Sequence, residues 1–179
     1  MWKILEYNGT KWKRFNTFVP RSVKRKENYM ASFIGQYEAK VDDKGRLVFP
    51  AAFKALLPEG ELPRLVIKKN IFEDCLEMYT SQEWERQSEE LKSKLNFLNK
   101  EHAAFWRKYM RDCAEVTLDA RIGRIAVPRN LLERIGVNKE VVFSGNDYKI
   151  EIWAKDKFAV SEISDEEYLN IAEALSDLG

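Results

Sequence analysis

The hydrophobic positions of this chain alternate or cluster in short runs, and a glycine, a proline or a charged turn ends nearly every run. Phe33, Gly35, Tyr37 and Ala39 alternate with Ile34, Gln36, Glu38 and Lys40, a period of two that predicts a strand over Phe33–Lys40. Asp42-Asp43-Lys44-Gly45-Arg46 is a turn signal, in which Gly45 can take the positive φ of a tight turn. Leu47-Val48-Phe49 predicts a second strand. Pro50 closes it, because a proline nitrogen cannot donate to a ladder yet suits the first turn of a helix. Residues 51–57 read as that helix. Beyond the breaker segment 58–63, Leu65-Val66-Ile67 and residues 75–79 read as strands flanking a polar turn at Lys69 and Asn70. Thr80 or Ser81 stands where a cap is needed for a helix beginning near Glu83 and Trp84.

The same order of events then recurs. Residues 116–118 read as a strand, 119–123 as a turn and 124–127 as a strand, and Pro128 stands before a helix over 130–135 that Gly136 ends. Val141-Val142-Phe143, the Gly145-Asn146-Asp147 turn and residues 149–153 give paired strands, and a last helical segment begins near Lys155. Gly45-Arg46 matches Gly123-Arg124, Pro50 matches Pro128, and Glu77-Met78-Tyr79 matches Glu151-Ile152-Trp153. Two tandem ββαββα units predict an α+β fold with a pseudo-two-fold arrangement. Neither half-size unit can bury its apolar face alone, so each covers the other.

The chain divides accordingly into a basic N-terminal extension (1–31), a first repeat (32–89), a connecting helix (90–112), a second repeat (113–160) and an acidic tail (161–179). Leu91, Leu95, Leu98, Phe105 and Trp106 mark one apolar stripe on a charged helical segment over 84–111, suited to packing within the chain or against a second subunit. Tyr168, Ile171 and Leu175 have helical spacing in the tail, whose composition also suits disorder.

Charge changes this picture through its distribution. The formal net charge is +1, but residues 1–29 carry eight Lys and Arg against two Glu, or +6, and residues 161–179 carry six acidic residues and no basic one, or −6. A nearly neutral body can still turn a basic face toward phosphates. No stretch approaches eighteen uncharged apolar residues, and the first ten residues lack the apolar run of a signal peptide, so a soluble cytoplasmic protein without membrane contact is expected. Cys75 and Cys113 are too few for a disulfide framework and read as small buried or half-buried side chains. The lone His102 has no cysteine at metal-ligand spacing. No nucleophile with a base, metal cluster or phosphate loop has the necessary spacing, so neither an enzyme, a cofactor nor a small-molecule substrate is expected.

Phe33-Ile34-Gly35-Gln36-Tyr37-Glu38, the segment from Asp42-Asp43-Lys44-Gly45-Arg46 through Leu47-Val48-Phe49-Pro50, and Lys149-Ile150-Glu151-Ile152-Trp153 together resemble the MraZ family of bacterial transcriptional regulators. The resemblance covers about residues 32–157. It implies a swapped-hairpin, AbrB-like β-barrel core with packed helices, assembled into ring-shaped homo-oligomers associated with the nucleoid. It also implies sequence-specific binding to direct repeats in double-stranded promoter DNA ahead of the division and cell-wall gene cluster, beginning with the regulator's own gene. The loops carrying the Asp and Arg would make that contact. Two features depart from the pattern. The second turn, Asp119-Ala120-Arg121-Ile122-Gly123-Arg124, is one residue longer than the first, and residues 1–29 have no counterpart in the repeat. That segment ends just before Met30 and is expected to be dispensable, the product of an upstream start codon, unless it serves as a basic arm on DNA.

Arg46 and Arg124 are the leading DNA-binding candidates, since a guanidinium on a glycine turn offers a donor fork to phosphate or to guanine O6 and N7. The competing reading is an ion pair with Asp42 or Asp119 that only fixes the turn. Lys44 and Arg121 suit phosphate contacts, Gly45 shapes the loop that presents them, and Asp42 and Asp119 suit a turn-orienting role, since a carboxylate would repel phosphate. The alternative function is a ring-forming scaffold or protein-interaction module without DNA specificity.

Overall fold

The structure, a computed structural model, describes residues 31–57, 63–119 and 121–176, together with two short paired strands, β1 (Glu6–Tyr7) and β2 (Thr10–Lys11). Apart from that pair and Ala31, the basic extension lies outside the described residues. The first half continues with β3 (Phe33–Lys40), β4 (Arg46–Val48), α1 (Ala51–Lys54), β5 (Arg64–Lys69), β6 (Cys75–Thr80) and α2 (Ser81–Ser93). After α3 (Lys100–Arg111), the second half repeats the order with β7 (Cys113–Asp119), β8 (Arg124–Ala126), α4 (Arg129–Arg134), β9 (Glu140–Asp147), β10 (Lys149–Ala154) and α5 (Lys155–Phe158), and α6 (Asp165–Ser176) follows.

The strands β3 to β10 form one antiparallel sheet in the order β3-β9-β10-β6-β5-β7-β8-β4. A bridge between Val41 and Leu47 and a hydrogen bond from the Asp42 N–H to the Arg46 carbonyl (3.0 Å) bring the last strand back to the first, so the sheet is a nearly closed barrel. Each half lends its strands to the other. β3 pairs with β9, β5 with β7, β4 with β8 and β6 with β10. The mixed α/β architecture therefore cannot be cut into two separate sheets.

Alternation along the strands sends Leu47, Leu65, Ile67, Leu76, Met78, Ile125, Phe143, Ile150 and Ile152 into one core, joined by Phe33 and by Phe53 of α1. Phe53 meets Phe33 and Tyr37 edge to face (5.5 and 4.9 Å between ring centres), which seats α1 on one end of the barrel. Outside the barrel, Cys75, Glu77 and Tyr79 of β6 are buried as well, and Tyr79 meets Trp84 of α2 (6.0 Å between ring centres). Trp84 of α2 stacks on Tyr109 of α3 (6.0 Å, 7°), and Tyr109 lies over the Lys68 ammonium at 5.0 Å.

Three expectations are corrected. The segment over 84–111 is two helices rather than one. The Asn99 side chain accepts hydrogen bonds from the Glu101 and His102 N–H groups, and the Asn96 side chain accepts one from Leu98, so these asparagines end one helix and start another. Leu98 is consequently 97% exposed and leaves the apolar stripe. The Gly145-Asn146-Asp147 turn is part of β9, because β3 supplies partners as far as Phe33 opposite Asp147; the reversal falls at Asp147 and Tyr148, with Asp147 at φ 54°. The helix expected over 51–57 ends at Lys54, and its last residues tighten into turns closed by the Leu56 and Leu57 N–H groups. Of the two candidate caps Thr80 is the one used, its hydroxyl accepting from the Glu83 N–H (3.2 Å). The tail forms α6, with Tyr168, Leu169, Ile171 and Leu175 all exposed. Among the described residues no helix is long and apolar enough to cross a membrane.

Candidate nucleic-acid interface

β4 and β8 are short strands paired with each other: Arg46 opposite Ala126, Leu47 opposite Ile125, and Val48 opposite Arg124. Leu47 and Ile125 are buried in the barrel, so the residues on either side of them face outward. Arg46, Val48, Arg124 and Ala126 thus share one surface, and no helix lies over it among the described residues.

The turns that feed this ribbon have different internal wiring. In the first, the Gly45 N–H donates to the Asp42 carbonyl (2.9 Å). Asp42 Oδ1 accepts from the N–H groups of Lys44 (3.0 Å) and Arg46 (2.9 Å), while Oδ2 accepts from Arg46 Nε (2.7 Å). Gly45 needs its φ of 74°, and a Cβ there would stand 3.0 Å from the Val127 carbonyl oxygen. In the second turn the Gly123 N–H donates to the Asp119 carbonyl (2.8 Å), and Asp119 Oδ1 accepts from the N–H groups of Arg121 (3.0 Å) and Ile122 (3.1 Å).

Asp119 is the register partner of Arg124, just as Asp42, one step beyond the Val41–Leu47 bridge, faces Arg46. The additional residue is absorbed in the loop, and Arg124 stays on the ribbon face. The carboxylates then diverge. Among the described residues Asp119 binds only loop N–H groups, whereas Asp42 Oδ2 holds Arg46 and also lies 3.9 Å from an Arg124 terminal nitrogen. The backbone N–H of Arg46 pulls the Asp42 carboxyl below its usual value; partial desolvation opposes this, and the Arg46 side chain and the Lys44 N–H add to the lowering. Two guanidinium groups therefore share one carboxylate. Lys44 and Arg121 stand exposed at the turn tips, with no side-chain partner among the described residues.

The ribbon brings together Arg46, Arg124, Asp42 and Gly45 from the expected set and leaves Lys44 and Arg121 at its margins. Two outward residues escaped the sequence reading: Val48, 54% exposed, and Ala126, also exposed. The signal that could have found them is parity, since each lies two residues from a candidate arginine across a core residue.

On the opposite side of the barrel the charges are internally matched. Glu77 of β6 faces Glu151 of β10 across the strand pair. Lys149 Nζ bridges both carboxylates (2.6 and 3.1 Å), Lys68 binds Glu77, and Trp153 Nε1 donates to Glu151 (3.1 Å). Burial pushes the Glu77 carboxyl up, yet the hydrogen bonds from Lys149 and Lys68 outweigh it, and the net shift is downward. Cys75 beside this cluster is a free thiol whose pKa burial pushes up to about 12, and the half-buried free thiol of Cys113 is raised to about 11 by the same cause.

The family model described as "MraZ protein, putative antitoxin-like" matches residues 32–108 and 110–176. The chain is 39% identical over 128 residues to a protein of Bacteroides fragilis named transcriptional regulator MraZ, covering 72% of this chain and 80% of that protein. It is similar to proteins of the same name from Bacteroides thetaiotaomicron, at 37% identity over 139 residues (78% and 88%), and from Clostridium tetani, at 35% over 147 residues (82% and 99%).

Proposed function

The chain belongs to the MraZ family, and from that premise we propose that it is a sequence-specific DNA-binding transcriptional regulator whose contact surface is the β4–β8 ribbon with its two turns. The observation that carries this reading is the shared outward face of Arg46 and Arg124, two guanidinium groups with one carboxylate between them on a side of the barrel that no helix covers among the described residues. A two-stranded ribbon fits the major groove, and an arginine fork matches guanine O6 and N7 there. Lys44 and Arg121, at the tips, contact phosphates and set register. Gly45 and Asp42 hold the first turn in shape, and Asp119 does the same for the longer second loop. The exchanged strand pairing supports the finer fold expected, two AbrB-like repeats with swapped hairpins.

Each turn supplies about one specific side chain, too little to select an operator from a genome, so the reading includes assembly into a ring that engages several direct repeats at once. The targets are the repeats ahead of the division and cell-wall gene cluster, including this protein's own gene, and the place of action is the cytoplasmic nucleoid. The test is a gel-shift titration of the full chain on the DNA upstream of its gene, with scrambled duplex as competitor and salt varied. Selective binding whose affinity falls steeply with salt supports the regulator. Equal, weak binding to both duplexes contradicts it and favours the scaffold alternative.

A further inference from the structure

We propose that Val48 is a specificity-determining residue of this surface and reads the 5-methyl group of a thymine in the major groove. The inference rests on the reading of the β4–β8 ribbon as the DNA-binding face. A single exposed valine on a protein surface is ordinary; the placement of this one is what counts. Val48 is 54% exposed, its Cα is directly opposite that of Arg124, and it lies two residues from Arg46 on the same side of the strand. On the paired strand Ala126 stands opposite Arg46. The face is therefore a checkerboard, each arginine beside one small apolar side chain.

That alternation matches the chemistry of the groove. Major-groove base edges offer acceptors and donors at every pair, and one apolar group, the thymine methyl. Residues two apart on a strand are separated by roughly 6.5–7 Å and paired strands by about 4.8 Å, so an arginine placed on a guanine leaves its apolar neighbour over an adjacent base. Val48 presents two branched methyl groups at that position, whereas Ala126 presents one on a shorter side chain. The valine is the one with the reach to cover a thymine methyl, and the two halves of the ribbon should differ in what they read.

The test uses the full chain and a duplex that it selects from a random-sequence pool. Each thymine of the selected site is replaced singly by uracil, which removes the methyl group and leaves base pairing unchanged. Dissociation constants are measured for the unaltered chain, Val48→Ala and Arg46→Ala, with thermal unfolding as the check on the fold. At one thymine or more, uracil should weaken the unaltered chain about fourfold, the effect of exposing one buried methyl, and should leave Val48→Ala unchanged. Uracil sensitivity in Val48→Ala equal to that of the unaltered chain, or no sensitive thymine at all, overturns the inference. Arg46→Ala separates this failure from a deeper one. If Arg46→Ala binds as tightly as the unaltered chain, the ribbon is not the DNA-binding surface; if it binds weakly while Val48→Ala keeps the full uracil profile, only the assignment of Val48 falls.

Discussion

Two of the four strand pairs that join the halves, β6 with β10 and β4 with β8 on opposite sides of the barrel, face opposite problems with like charges. At the first, Glu77 and Glu151 confront each other across the strands, and the chain answers with Lys68 and Lys149, then covers the cluster with the aromatic rings of α2 and α3. At the second, Arg46 and Arg124 share a face with one carboxylate, Asp42, and among the described residues no helix covers them. Buried charges must find partners within the fold, because desolvating an unpaired one is costly. The half-exposed arginine side is under no such demand, and among the described residues Asp42 engages only part of its guanidinium donors. The lysine-bridged side is closed on itself, and the bare side is the one proposed to meet a partner rich in acceptors.

The sharpest way to break this comparison is to remove charge from the matched side. Glu77→Ala would leave Lys68 buried without its carboxylate and Lys149 with Glu151 alone, and a loss of about 3–5 kcal/mol in chemical denaturation is expected. A loss below about 1 kcal/mol would mean that the cluster is open to solvent and that the contrast between the sides is not one of burial. Next come the two glycines. Gly45→Ala meets both a left-handed backbone and the Val127 carbonyl, for about 2–4 kcal/mol. Gly123→Ala meets the backbone term alone with nothing within 4 Å, for about 1–2 kcal/mol. Equal losses would show that Gly45 does not lie close against the Val127 carbonyl.

Asp42 sharpens the comparison from the other direction. Its folded-state carboxyl lies below the ordinary value of 3.8, first through the Arg46 N–H. Its stabilisation of the turn is therefore complete above that ordinary value and is lost as pH falls through the lower, folded one. An NMR titration should place the Asp42 carboxyl carbon below 3.8, and Asp42→Asn should remove that part of the acid limb of stability. A midpoint at or above 3.8 would contradict the hydrogen bonding of the first turn. Arg46→Ala and Arg124→Ala should change stability least, each by less than about 1 kcal/mol, since a half-exposed ion pair contributes little.

Much of the bare side was legible in the residues, because its signals are local. Gly45 and Gly123 mark turns, Pro50 and Pro128 mark the exits, and Leu47 and Ile125 fix which neighbours face outward. The matched side was not legible. Lys149 and Glu77 are 72 residues apart, and only the pairing of β6 with β10 makes them neighbours. Before that register is known, nothing local in the sequence joins Lys68 and Lys149 to one carboxylate. The break between α2 and α3 was missed because the apolar spacing of Leu91, Leu95 and Leu98 continues across it, while the local hydrogen bonds of Asn96 and Asn99 decide the backbone. The effect of the additional residue in the second turn is not legible from spacing alone. Strand register places Asp119 opposite Arg124, with the additional residue taken up in the loop.

The central claim is that the bare β4–β8 face reads DNA, and the double variant Arg46→Ala/Arg124→Ala tests it most directly. Fluorescence anisotropy with the upstream duplex and a scrambled duplex gives the ratio of specific to non-specific affinity, and thermal unfolding and sedimentation check fold and assembly. In a folded, normally assembled variant, the affinity for the upstream duplex should fall at least about tenfold, and its advantage over the scrambled duplex should collapse. Unaltered affinity and discrimination in that variant would contradict the account, making the Gly-Arg turns purely structural and moving DNA recognition to another face.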